Sequence, residues 1–253
     1  MSAERASRAE YCVVACADAW RGDGEILASP MGTIPAIGAR LAKLTFSPDL
    51  LLTDGEALLI GDVPAVGAAA RMTEGWLPYR KHLAMAAGGR RHVMMGASQL
   101  DRFGNQNISC VGDWERPDRQ LLGVRGAPLN TLNNPTSYWV PQHSKRVFVE
   151  RVDMVCGVGN DRAAAAGPSA TRFHQLRRVV TDLAVLDFTG AEGAMALRSV
   201  HPGVSADQVR EATGFALAAP EEVPRTREPT PQELRLIRES LDPGGLRERE
   251  VRT

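Results

Sequence analysis

Gly96-Ala97-Ser98-Gln99-Leu100-Asp101-Arg102-Phe103-Gly104-Asn105-Gln106-Asn107-Ile108-Ser109 comes directly after the apolar run His92-Val93-Met94-Met95. A short apolar run ending at a glycine reads as a buried strand. The segment after it reads as a turn in which Asp101, Asn105 and Asn107 bond local backbone groups while Gly104 takes a positive φ. Downstream, residues 146–149 and 154–155 are further short apolar runs. Residues 179–188 are rich in strand formers, and residues 194–198, after the glycine-bounded turn 190–193, are the expected hairpin partner. Upstream, a turn at Gly22-Asp23-Gly24 precedes the strand Ile26-Leu27-Ala28. A Gly/Pro loop over residues 30–35, a helix over 36–44 and a second apolar run, Leu50-Leu51-Leu52, complete a strand, loop, helix, strand unit. Strands separated by helical segments predict an α/β domain with a mixed, mostly parallel sheet flanked by helices.

That domain is expected over residues 1–219. Residues 206–213 read as a helix with Ser205 as N-cap, and the alanine patch 163–166 as a loop variation. Pro220, Pro224, Pro229 and Pro231 among charges mark residues 220–253 as a Pro-rich linker followed by a C-terminal helix. Thr230-Pro231-Gln232-Glu233 fits a helix start, with Thr as N-cap, Pro at the first position and Glu at the third. Leu234, Ile237 and Leu241 then form one apolar stripe, for packing on this body or on a partner.

Composition excludes several classes of function. Thirty basic residues balance thirty acidic ones, leaving no field that favours nucleic acid or an anionic membrane. Cys12, Cys16, Cys110 and Cys156 form no C-x-x-C pair, so neither a zinc knuckle nor a disulfide framework is suggested. The five histidines, His82, His92, His143, His174 and His201, show no metal-binding spacing. No apolar stretch approaches the roughly 20 residues that cross a bilayer, and residues 4–10 lack the apolar core of a signal peptide. The expectation is a cytoplasmic protein with no metal and no cofactor.

The segment at 96–109 closely resembles the G-G-x-Q-V-D-x-x-G-N-x-N motif of beta subunits of the class I CoA-transferase family. Three more stretches resemble the same family in the same order. Residues 146–159 (RVFVERVDMVCGVG) match its R-x-F-V-E-K-V-D strand pair, residues 180–185 (VTDLAV) its V-T-D-L strand, and His201-Pro202-Gly203-Val204 with Val209 and Thr213-Gly214-Phe215 its close. The resemblance spans roughly residues 10–217. It implies an open α/β fold, a homologous alpha subunit as partner in an α2β2 heterotetramer, and a CoA-thioester site in the cleft between the two. CoA then belongs to the substrate.

Two departures are informative. Transferases of the family carry Ser-Glu-Asn-Gly at the strand end that here reads Leu52-Thr53-Asp54-Gly55, and their glutamate attacks the acyl-CoA. Thr53 stands at that position and cannot do this. Asp54 or Glu56 would be a relocated nucleophile if the register differed. The second departure is Val124-Arg125-Gly126-Ala127-Pro128-Leu129-Asn130, where the family has a glycine-rich loop. As a bare sequence it is a polar turn. As a site, the Arg125 guanidinium and adjacent N–H groups suit a carboxylate or an enolate.

The runs 125–130 and 132–139 resemble the ring-cleaving branch of the family, which opens the last ring left from steroid degradation by adding water to a cyclic enone CoA thioester and breaking a C–C bond. That implies a catalytic role for Arg125, with the general base on the alpha subunit. It also implies substrate or CoA binding by Thr53, Asp54, Gln99, Asn105, Gly126, Ala127, Asn130 and Asn133, with Asp101 and Asn107 helping to shape the cleft. His143 comes after the asparagine loop within reach of the cleft, whereas Tyr138 and Trp139 read as packing or acyl-pocket lining. The alternatives are a true CoA-transferase with a relocated carboxylate and a non-catalytic scaffold for the alpha subunit.

Overall fold

The computed structural model describes residues 5–55 and 57–251. Its central sheet begins with the strand β1 (Leu27–Pro30), bridged at Leu27 to Leu51 just before β2 (Leu52–Thr53). β2 continues into an antiparallel meander with β3 (Leu58–Ile60) and β4 (Thr73–Trp76). On its other side β1 pairs in parallel with β5 (Arg91–Gly96). Two small ribbons come next: β6 (Gln99–Leu100) with β7 (Gln106–Asn107), and β8 (Cys110–Val111) with β9 (Arg119–Gln120). The main sheet resumes with β10 (Pro135–Val140), parallel to β5 and to β11 (Gln175–Thr181). It ends in the antiparallel strands β12 (Ala184–Asp187) and β13 (Ala196–Val200). The mixed, mostly parallel order β1-β5-β10-β11-β12-β13 is the expected α/β architecture, and the hairpin expected after residue 188 is present.

Side chains alternate across this sheet, so each strand feeds two cores. Met94, Trp139, Val180 and Val185 face a layer made by α1 (Arg8–Ala19) and α2 (Thr33–Thr45). Val93, Met95, Tyr138, Val179 and Leu186 face the opposite layer, where Phe148, Phe215 and Val209 of α7 (Ala206–Glu211) pack. Gly38 lets α2 approach α1, since a Cβ there would lie 2.9 Å from the Cys16 Cβ. The remaining helices are α3 (Tyr79–Gly88), α4 (Ala127–Asn133), α5 (Asn160–Ala166) and α6 (Pro168–Thr171). Thus the alanine patch 163–166, expected as a loop variation, is the second half of α5. The runs 146–149 and 154–155 are not ladder strands: Val147 and Phe148 N–H both bond Ser144 O in a turn, leaving one bridge from Phe148 to Leu100.

Residues 220–251 join this same body. The segment around Arg225 runs beside β13, with Val200 N–H donated to Pro224 O and Thr226 N–H to Val200 O. Thr230 caps α8 (Pro231–Arg235) in a reciprocal capping box with Glu233. A π-helical continuation, Leu236–Leu241, then seats Ile237 and Leu241 fully in the α1/α2 core. Charge fixes the docking. Buried Glu10 of α1 receives Arg238 Nε at 2.7 Å and Arg247 at 3.0 Å, and Arg247 also pairs with Asp242. Burial opposes ionisation of Glu10, but the bonds from Arg238 and the Ser7 N–H hold its carboxyl below the usual range.

Candidate functional site

In open α/β sheets, ligands gather outside the carboxyl ends of the parallel strands. Here that edge consists of Thr53 and Asp54 after β2, Met31 and Gly32 after β1, Ala97 and Ser98 after β5, and Gln142 after β10. A crevice of about 680 Å³ opens there, lined by Ser98, Gln99, Arg119, Gln142, Ser144 and Arg146 among others. Neither Arg119 nor Arg146 makes an ion pair among the described residues, so both guanidiniums are available to an anionic group. Sequence reasoning missed both. Arg146 opens a family-like motif, but its neighbours read as a strand, from which a crevice position is not legible.

Thr53 is half-buried, and its Oγ1 accepts the Gly55 N–H at 3.2 Å. Asp54 Oδ1 accepts the N–H groups of Ala57 and Leu58, each at 3.0 Å, which closes the β2–β3 turn. A carboxylate holding two backbone donors is a turn element and a poor nucleophile. Glu56 lies outside the described residues.

Arg125 sits at φ 53°, a left-handed conformation costly for a side chain with a Cβ, and is exposed without an ion pair among the described residues. Gly126 and Ala127 lead from it into α4. The Ala127 N–H is donated to Val124 O at 3.3 Å, so this donor closes the turn. Asn130, one turn on, is buried, with Nδ2 against Met95 Sδ at 3.3 Å. Its Oδ1 has no partner among the described residues. Gln106, also buried, gives Nε2 to Gly96 O and leaves its Oε1 without a partner. Asn130 and Gln106 thus both lie against the carboxyl half of β5, at Met95 and Gly96, with Gly126 close to the Asn130 amide.

Other expected site residues lie elsewhere or are committed. Asn105 is buried, donating to Asp101 and Asp161 and accepting the Gly159 N–H. Asp101 in turn accepts the N–H groups of Phe103 and Asn105, although burial keeps its carboxyl above the ordinary range. Asn107 bonds Gln99 and Cys110 O. Gln99 lines the crevice, but its amide is held by Asp153 and Asn107. Gln99 and its partner Asn107 thus back the crevice, whereas Gly104, between Asp101 and Asn105, packs on Leu176 and Phe188. Asn133 stands at the opposite end of α4, where Gly89 meets its carbonyl and β10 begins, so it belongs to the amino edge of the sheet.

His143 does not reach the crevice. It bonds Thr181 and Thr213 and stacks on Phe148 at 4.0 Å, and burial pushes its pKa down to about 3. His201 is likewise held neutral, down to about 4, between Thr226 and Thr181 O. Among the described residues no His/Cys/Asp/Glu cluster suits a metal, and no helix is long and apolar enough to cross a membrane. All four cysteines are buried free thiols.

Comparison with known proteins agrees with this geometry. The coenzyme A transferase family matches residues 22–212. The chain is 58% identical to the cholesterol ring-cleaving hydrolase IpdB subunit of Rhodococcus jostii (strain RHA1), covering 97% of this chain and 96% of that one. It is 52% identical to the subunit of the same name from Mycobacterium tuberculosis (strain ATCC 25618 / H37Rv), covering 98% and 99%. The crystal structure of Rhodococcus jostii RHA1 IpdAB matches with a TM-score of 0.96 and 57% identity, covering 99% of this chain and 100% of that one.

Proposed function

This chain belongs to the coenzyme A transferase family, and from that membership we propose that it is the beta subunit of a two-subunit cholesterol ring-cleaving hydrolase. Its substrate is the CoA thioester of a cyclic enone, and a homologous alpha subunit completes the site in an α2β2 assembly. The observation that carries this reading is near full-length likeness to ring-cleaving subunits, joined to a threonine where the transferases need a carboxylate.

The chemistry fits that exchange. An alkene carbon conjugated to a ketone and a thioester accepts water without a covalent enzyme intermediate. A general base takes one water proton, the oxygen bonds to the alkene carbon, and the π electrons move into an enolate. After protonation at carbon, the new hydroxyl loses its proton and collapses to a carbonyl, and the adjacent ring C–C bond breaks. Its electron pair is received as a second enolate, which is then protonated, so substrate plus water gives one ring-opened product still bearing CoA. The demands are a base and a cationic or N–H-rich oxyanion site.

We assign the base to the alpha subunit. Arg125, beside Gly126 and Asn130, supports the enolate or holds a substrate carboxylate, while Arg119 and Arg146 face the anionic parts of the CoA thioester. No cofactor beyond the substrate's own CoA enters, and the protein works in the cytoplasm.

The test is to purify the chain with its alpha subunit and supply ring-containing CoA thioesters in ¹⁸O-labelled water. One ¹⁸O in a ring-opened CoA product, with unmodified protein, is the expected result. A CoA adduct on this chain would instead mean a transferase.

A further inference from the structure

A second cavity, of about 620 Å³, lies on the α1 face of the sheet, away from the crevice. Asp18 and Ala19 at the end of α1 form one wall, and Arg178 of β11 with Arg198 of β13 form the sheet side. Asp187, the last residue of β12, lies beside Ala196, the first of β13, and next to the first half of β11, so this is the amino edge of the sheet.

Five guanidiniums line the cavity, those of Arg21, Arg178, Arg198, Arg225 and Arg227. Three carboxylates answer them. Asp18 pairs with Arg21 at 2.8 Å and with Arg227 at 2.7 Å, and Glu233 also holds Arg227 at 2.7 Å. Asp187 serves two arginines with one oxygen: its Oδ2 lies 3.2 Å from Arg198 and 3.7 Å from Arg178, while its Oδ1 accepts the Thr189 hydroxyl at 2.6 Å. Arg225 makes no ion pair among the described residues. Burial, with the Arg198 charge beside it, pulls the Arg178 guanidinium below its usual range. Ala15, Ala19, Val185 and Pro224 give the cavity an apolar wall.

We propose that this cavity binds a small organic phosphate, its dianion forked among Arg178, Arg198 and Arg225 and its short apolar body resting on Ala15, Val185 and Pro224. The excess of guanidiniums over carboxylates matches the nearly double negative charge of a phosphate monoester at neutral pH. A guanidinium offers donors in a fixed fork that suits phosphate oxygens, and the volume is that of a small-molecule pocket. The site stands apart from the crevice and does not depend on the reaction carried out there. Arg225 belongs to the segment that runs beside β13, so the ligand ties that segment to the sheet.

The test uses the chain purified with its alpha subunit, titrated calorimetrically with n-butyl phosphate and, for comparison, inorganic phosphate. The expected result is saturable binding of n-butyl phosphate with a Kd below about 1 mM, about fivefold or more tighter than inorganic phosphate because of the apolar wall. Arg198→Gln and Arg225→Gln should each weaken binding about fivefold or more, as for one charge-assisted bond lost, with turnover unchanged. Both side chains are exposed, so the unfolding midpoints stay within about 2 °C of native. Arg162→Gln, in an exposed arginine of α5, should bind as native does. No binding of n-butyl phosphate up to about 10 mM overturns the proposal, as does native affinity in both Arg198→Gln and Arg225→Gln. So does competition by CoA together with loss of binding in Arg146→Gln, which would put the anion in the crevice. Inorganic phosphate binding as tightly as n-butyl phosphate overturns it too, since the apolar wall would then contribute nothing. Binding to the chain alone but not to the two-subunit complex would overturn it by showing that the alpha subunit fills the cavity.

Discussion

The Glu250 carboxylate accepts the backbone N–H of Ile34 at 2.7 Å, so a residue at the far end of the chain caps the helix that starts beside the site. Gly32, the local N-cap, has no side chain to do so. The other oxygen of Glu250 accepts the indole N–H of buried Trp139 at 3.1 Å. Glu250→Ala should therefore cost about 1–2 kcal/mol, combining a lost cap with an orphaned indole donor. The expected midpoint decrease is about 3–6 °C for a chain of this size, read by calorimetry, and Glu250→Gln should lose less.

Acid should destabilise the fold through its histidines. His143 and His201 are neutral in the folded chain because burial depresses their pKa values, to about 3 and about 4, while in the unfolded chain they titrate near 6.5. The unfolded state therefore binds the extra protons. The stabilisation is complete above about pH 6.5 and falls by about 1.4 kcal/mol per pH unit and per histidine as pH drops toward the folded values. Unfolding midpoints between pH 7 and pH 4 measure this, and His143→Gln should flatten the slope.

Arg125→Ala should lower turnover by about 10²-fold, the scale of a lost oxyanion donor, with the two-subunit complex intact. Its φ of 53° adds a second readout. Arg125→Gly should lose as much activity yet be more stable than Arg125→Ala by about 1 kcal/mol, because glycine takes this conformation freely. Turnover within threefold of native for both would remove Arg125 from the site.

Thr53→Ala should keep turnover within about tenfold of native, since a lost nucleophile would cost orders of magnitude more. Its hydroxyl holds the Gly55 N–H in a half-exposed turn, so a small loss of order at the strand end is the expected effect. Steady-state kinetics on the complex decides it.

Much of the fold was legible because local rules and tertiary structure agree. The run 92–95, the hairpin after 188, the N-caps at Ser205 and Thr230 and the positive φ of Gly104 all derive from residue type and spacing. The site was legible in part. Thr53 ends a strand at the carboxyl edge and Asn130 is buried against Met95, but Asn105 and Asn133 resemble ligand-binding amides only while their partners are unknown. Asn105 is held by Asp161, 56 positions away, and Asn133 is turned from the edge by the direction of α4. Residues 220–231 read as linker because prolines break local periodicity, yet the ladder beside β13 and the grip of Arg238 and Arg247 on Glu10 join distant positions, 228 and 237 apart for the two arginines. No window along the chain contains both ends of such a pair.

That grip also sets an order of events during synthesis. Arg238 and Arg247 leave the ribosome 228 and 237 residues after Glu10, so the carboxylate waits without its counter-charges while the sheet between them is made. Closing the layer of α1 and α2 on these contacts carries the loop-closure entropy of a long intervening chain, which places it late in folding.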